Sequence, residues 1–332
     1  MKRFSLLLLG CVVGLSAADL INGAGATFPN PIYSKWFDVY GKTKGVQFNY
    51  QSQGSGAGIR QVVAGTVDFG ATDGPMTDEQ LSQAKVKILH FPTVLGSVVI
   101  TYNVPEAKGE LDFTPEAIAG IYLGKITKWN DPEIAKANPK VKLPGNDITV
   151  VHRAEASGTS YCFTDYLSKV SPEWKSKVGT SVQVQWPAGL GGKGNEGVSG
   201  TVKETPYSIG YVELIYVLQN KMPYGRVRNS SGVFVRPDLA STSAAAAGAA
   251  KSMPDDFRVS ITNAPGKTAY PISTFTWLLI PSKIANAGKK AAIVDFLKWM
   301  LADGQNMVEA LSYAKLPKEV VAKELKAIAL IE

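Results

Sequence analysis

Residues 153–163 read RAEASGTSYCF. An arginine brings a planar, permanent, forked positive charge. Ser157, Thr159 and Ser160 bring hydroxyls, Gly158 brings bare backbone, and the chain then turns apolar as a helix would. Two other stretches share this grammar: GAGATFPNP at 23–31 and GSGAGIRQ at 54–61. Each sets glycine and hydroxyl residues just before a predicted helix. A helix N-terminus exposes unpaired N–H groups and roughly half a positive charge, which suits an anion. Thr27, Ser55, Ser157 and Thr159 can add hydroxyl donors, and Arg153 can add a bidentate fork. Taken singly, each start is far better explained as an ordinary helix cap. Three glycine-flanked starts in one chain, one with an arginine, point to anion binding.

DFGATD at 68–73 adds a carboxylate just past a strand. Asp73-Gly74-Pro75 is also strong turn chemistry. Read functionally, Asp73 is an acceptor for a proton carried by the ligand.

Positioning these groups requires alternating strands and helices, and the pattern supplies them. Helical periodicity or caps mark 31–41, 56–65, 115–123 after Thr114-Pro115, 159–170, 239–252 and 291–302. Lys318 to Leu330 closes the chain. Apolar, β-branched runs mark strands at 46–51, 67–71, 95–102, 148–151, 182–186, 209–212 and 275–280. Such alternation is the signature of α/β layers. The 332 residues exceed what one core usually organises, and no linker is visible, so two interleaved domains are expected.

Lys2 and Arg3, the apolar run from Leu6 to Ala17, and small residues at 16–18 read as a secretory signal peptide cleaved after Ala18. Lipid attachment at Cys11 is the alternative, with a very short apolar region. Cleavage leaves Cys162 alone, so no internal disulfide is possible and a small buried apolar role is expected for it. It also lowers the formal charge from +7 to +5 by removing Lys2 and Arg3. No dense basic run with interleaved aromatics argues for nucleic acid.

These stretches, with VDFGATDGPM, IYLGKITKWND, WPAGLGGKGNEGV and IGYVE, span nearly the whole mature chain in order. In them the sequence resembles the periplasmic phosphate-binding proteins of bacterial ABC phosphate uptake, the PstS family. The resemblance implies a two-lobed, class II periplasmic binding protein with the ligand in the interlobe cleft. It implies lobe I at 19–95 plus 273–332 and lobe II at 96–272, with crossings near 92–97 and 270–274. It implies that Thr27, Phe28 through its backbone N–H, Ser55, Asp73, Arg153, Ser157, Gly158 and Thr159 hold phosphate. The family's arginine-bracing aspartate is Glu155 here, a longer carboxylate. The implied partners are inorganic phosphate and the transmembrane permease, for a monomer in the periplasm without cofactor, metal or enzymatic activity.

Other chemistries fit less well. GLGGKG at 189–194 matches a dinucleotide glycine pattern and precedes a possible helix, but Pro187 interrupts the approach from the preceding run, so a tight loop near the cleft or on the surface is expected. A hydrolase using Ser55 or Ser157 needs a base, and the histidines are only His90, before a strand, and His152, on the opposite strand face from Arg153. Two histidines form no metal-ligand cluster. A sulfate-type site is the remaining binding alternative, and Asp73 is the residue that discriminates it.

Overall fold

Apolar runs become strands and capped stretches become helices in the computed structural model, which describes residues 20–332. The expected signal peptide, 1–18, and Cys11 lie outside the described residues. The first third holds β1 (Leu20–Gly25), α1 (Asn30–Lys44), β2 (Gln47–Ser52), α2 (Ser55–Ala64), β3 (Phe69–Thr72), α3 (Asp78–Ser82) and β4 (Ile88–Asn103). The middle holds β5 (Asp112–Phe113), α4 (Pro115–Tyr122), α5 (Pro132–Ala137), β6 (Thr149–Arg153), α6 (Gly158–Val170) and α7 (Pro172–Lys177). Then come β7 (Leu190–Gly192), α8 (Gly194–Glu204), β8 (Ser208–Glu213), α9 (Leu214–Asn220), β9 (Arg226–Arg228) and β10 (Phe234–Val235). The chain ends through α10 (Leu239–Lys251), β11 (Ser273–Pro281), α11 (Ala287–Leu301) and α12 (Lys318–Ala327).

Local chemistry sets the boundaries. Pro31 opens α1, where a missing N–H costs nothing, and Gly45 closes it in the left-handed region at φ 73°. Thr114 caps α4 by accepting from Ala117 N at 3.0 Å. Ile32 and Trp36 on α1 are fully buried. Burying a side chain such as Ile32 contributes roughly 1.5–3 kcal/mol.

The main sheet runs β2-β1-β3-β11-β4-β8-β6-β7. β1 is parallel to β2 and β3, and β6 is parallel to β8 and β7. β11 is antiparallel to β3 and β4. β4 joins the two halves: residues 88–97 pair with β11, and 98–103 pair with β8. This strand is longer than its apolar core suggests, so His90 lies inside it rather than before it.

Val182–Trp186 is not a strand. Its alternation is real, with 182, 184 and 186 half-buried and 183 and 185 exposed, but the segment is an extended bend without ladder partners. Trp186 instead stacks on His152, with centroids 4.9 Å apart. The edge next to β6 is taken by the glycine-rich Leu190–Gly192. Cys162 is buried, and burial pushes its thiol well above its usual range.

Candidate functional site

The C-terminal ends of β1, β2 and β6 deliver the loops that lead into α1, α2 and α6, and Asp73 directly follows β3. Across the sheet halves these loops meet. Gly158 N, at the start of α6, donates to Ser55 Oγ, at the start of α2, at 3.0 Å. Asp73 N donates to the same oxygen at 3.3 Å. Gly56 N reaches Ala156 O at 3.0 Å. A Cβ on Gly158 would lie 2.5 Å from both Asp73 N and Ser55 Oγ, so only glycine permits this approach.

Thr27 is drawn in by a fourth helix start. Asn195, near the start of α8, donates to Thr27 Oγ1 from its backbone N at 3.3 Å and from Nδ2 at 2.8 Å. The Nδ2 also donates to Thr159 Oγ1 at 3.2 Å. Three tyrosines pin the loop behind: Tyr50, Tyr216 and Tyr313 donate to the carbonyls of Ala26, Thr27 and Phe28 at 2.7, 2.6 and 2.6 Å. With its carbonyls held from behind, the 26–28 loop has a fixed backbone direction.

Arg153, at the end of β6, is buried. Its Nε donates to Glu155 Oε1 at 3.0 Å, its Nη2 meets the same oxygen, and its Nη1 donates to Thr159 Oγ1 at 3.1 Å. Glu155 Oε1 also accepts from Gly194 N at 3.1 Å. The longer carboxylate therefore reaches the arginine and ties it to the start of α8. Ser157 caps α6, accepting from Ser160 N at 3.2 Å.

Asp73 sits among these groups, buried. Its Oδ1 accepts from Thr276 Oγ1 at 2.8 Å, while Oδ2 has no protein partner. Burial raises its pKa from 3.8 to about 7, against the opposing pull of the Thr276 hydrogen bond and the Arg153 charge. Buried Oδ2 is one polar atom still to be satisfied, beside a cation and several helix starts.

All of Thr27, Phe28, Ser55, Asp73, Arg153, Glu155, Ser157, Gly158 and Thr159 thus belong to one linked network or flank it directly. The histidines do not. His90 Nε2 accepts from Met76 N at 3.1 Å, and burial depresses its pKa to about 3. His152 Nδ1 lies 2.9 Å from Arg153 O. Among the described residues, no group of three or more histidine, cysteine, aspartate or glutamate side chains could hold a metal ion.

The PBP superfamily domain matches residues 14–304. The phosphate-binding protein PstS of Xylella fastidiosa is 46% identical over 308 residues, covering 92% of this chain and 84% of its own. The chain belongs to the PstS family. The Haemophilus influenzae member is 42% identical over 322 residues, covering 97% of this chain and 96% of its own. A crystal structure of a phosphate-binding protein from Stenotrophomonas maltophilia superposes with a TM-score of 0.70 at 21% identity, over 93% of this chain and 94% of that one. That likeness establishes the periplasmic-binding-protein fold.

Sequence reasoning missed six participants: Asn195, Gly194, Tyr50, Tyr216, Tyr313 and Thr276. Gly194 ends GLGGKG, expected above to be a tight loop, and Asn195 directly follows it. The stretch is an edge strand running into a helix start, the same grammar that flagged the other three. Tyr216 and Thr276 left no local signal, because they arrive from α9 and β11 through the fold.

Proposed function

We propose that this PstS-family protein binds inorganic phosphate in the periplasm and delivers it to the transmembrane permease of an ABC importer, without chemical turnover. The observation that carries this reading is that one network of helix starts holds two buried groups, the Arg153 guanidinium and an Asp73 carboxylate whose Oδ2 lacks a donor. Arg153 and the helix starts favour an anion. Asp73 favours an anion that brings its own hydrogen, as phosphate does and sulfate does not.

In this reading Thr27, Ser55, Ser157 and Thr159 donate hydroxyls, Phe28 and Thr159 offer backbone N–H groups, and Gly158, whose own N–H is held by Ser55 Oγ, gives the ligand bare backbone to approach. Glu155 braces Arg153. The lobes are 19–95 plus 273–332 and 96–272; the partner change of β4 between Ser97 and Val98 supports that division. Among the described residues no helix is long and apolar enough to cross a membrane.

The test is calorimetry on ligand-stripped protein, paired with a phosphate-ester hydrolysis assay. One phosphate per chain and no hydrolysis are expected. Absence of phosphate heat, or sustained hydrolysis, overturns the reading.

A further inference from the structure

The hydroxyls around the site are not interchangeable with generic polar groups, because their partners leave each only one thing to do. A hydroxyl owns two lone pairs and one hydrogen. Ser55 Oγ accepts from Asp73 N and Gly158 N. Thr27 Oγ1 accepts twice from Asn195. Thr159 Oγ1 accepts from Arg153 Nη1 and Asn195 Nδ2. Each oxygen has both lone pairs engaged, and among the described residues none of the three hydrogens has an acceptor. Asp73 Oδ2 is the opposite, an acceptor without a donor.

We infer that Asn195 is a positioning residue that sets the hydrogen-bond polarity of the site: its amide holds Thr27 and Thr159 as obligate donors toward an acceptor ligand. The inference rests on the phosphate reading above and deepens it. Asn195 is fully buried, and its orientation is unambiguous. Its Oδ1 accepts from Glu213 N at 2.9 Å, and a backbone N–H can only donate, so the NH₂ must be the group that faces the threonines. One amide therefore serves three elements: it is anchored on the end of β8 and instructs hydroxyls from the β1–α1 loop and from α6.

The consequence is a fixed code. Three hydroxyl hydrogens require ligand oxygens that accept, and Asp73 Oδ2 is an acceptor that can receive a ligand hydrogen. Without the Asn195 amide, the Thr27 and Thr159 hydroxyls can turn, and the donor pattern must be ordered anew at each binding event.

A double-mutant cycle tests this, with phosphate titrated calorimetrically into wild type, Asn195→Leu, Thr27→Val and the double variant. Asn195→Leu should weaken binding by about tenfold or more, the worth of one to two hydrogen bonds. In the Thr27→Val background about half of that loss, as free energy, should vanish, because one of the two hydroxyls the amide instructs is already gone. An undiminished loss in that background overturns the inference, since it would show a role in holding the α8 loop alone. A loss under about twofold from Asn195→Leu also overturns it. Wild type that binds no phosphate overturns this inference and the phosphate reading together, which separates the two failures. Should Asn195→Leu not fold, the isosteric Asn195→Asp replaces it. Its deficit relative to wild type should shrink as pH falls and the new carboxylate regains a hydrogen to donate. A pH-independent deficit overturns the inference.

Discussion

At the scale of single residues, Asp73 is the group whose ionisation the fold opposes. Its pKa in the fold is about 7 against an ordinary 3.8, with burial the main cause. The folded state therefore holds this proton more tightly than the unfolded chain. Between those two values, rising pH removes stability, and the full cost is present above about pH 7. A pKa rise of that size corresponds to about 4 kcal/mol. Asp73→Asn cannot ionise, so its unfolding free energy relative to wild type should grow as pH rises from about 4 to about 7 in ligand-free protein. Denaturant melts across that range check the sign, and a flat difference would show that Asp73 is not desolvated. Arg153 belongs to the same scale. Arg153→Ala should cost phosphate binding about 2–5 kcal/mol by stranding its partners. Arg153→Lys should also bind poorly, because one ammonium cannot serve Glu155, Thr159 and a ligand together. Affinity equal to wild type in the lysine variant would place the arginine's role elsewhere.

At the scale of elements, the site is built from helix starts pressed against one another. Gly158→Ala would put a Cβ 2.5 Å from Asp73 N and Ser55 Oγ, forcing the starts of α2 and α6 apart. Those contacts join the two halves of the sheet, so affinity should fall by at least about tenfold while thermal stability falls proportionately less. Titration and melting of the same sample decide it, and retained affinity would contradict the geometry. Elements were legible where one local rule governed them. Thr114-Pro115 marked α4, and the RAEASGT, GATFP and GSGAG stretches marked the starts that meet at the site. The reading failed where tertiary contacts decided. Val182–Trp186 alternates like a strand, yet Ser157 N takes Val182 O at 2.7 Å and Trp186 takes the His152 ring, leaving no ladder. Leu190–Gly192 has little strand propensity, yet it pairs with β6 because its glycines let α8 pack close: a Cβ on Gly192 would lie 2.8 Å from Val198 N. Asn195 stayed unnamed because GLGGKG, although a possible helix follows it, reads as a dinucleotide pattern or a tight loop rather than as a fourth anion-facing helix start.

At the scale of the whole molecule, β4 is the common member. It pairs with β11 and then with β8, so the two sheet halves share one continuous strand. Polar contacts close over that strand, among them Gly158 to Ser55, Asn195 to Thr27 and Tyr216 to the Thr27 carbonyl. A ligand seated between these contacts would bind the folded chain and not the unfolded one, so phosphate should raise the melting temperature with concentration. Sulfate should do so far less. The most direct test of the central claim is a competition titration of stripped wild type with phosphate and sulfate, at about pH 8 and about pH 6, on either side of the Asp73 pKa. At the higher pH, ionised Asp73 should reject sulfate by about 10⁴-fold relative to phosphate, because sulfate brings no hydrogen to its unpartnered oxygen. At the lower pH, Asp73 carries its own proton and the gap should narrow. Sulfate bound as tightly as phosphate at the higher pH would contradict the account.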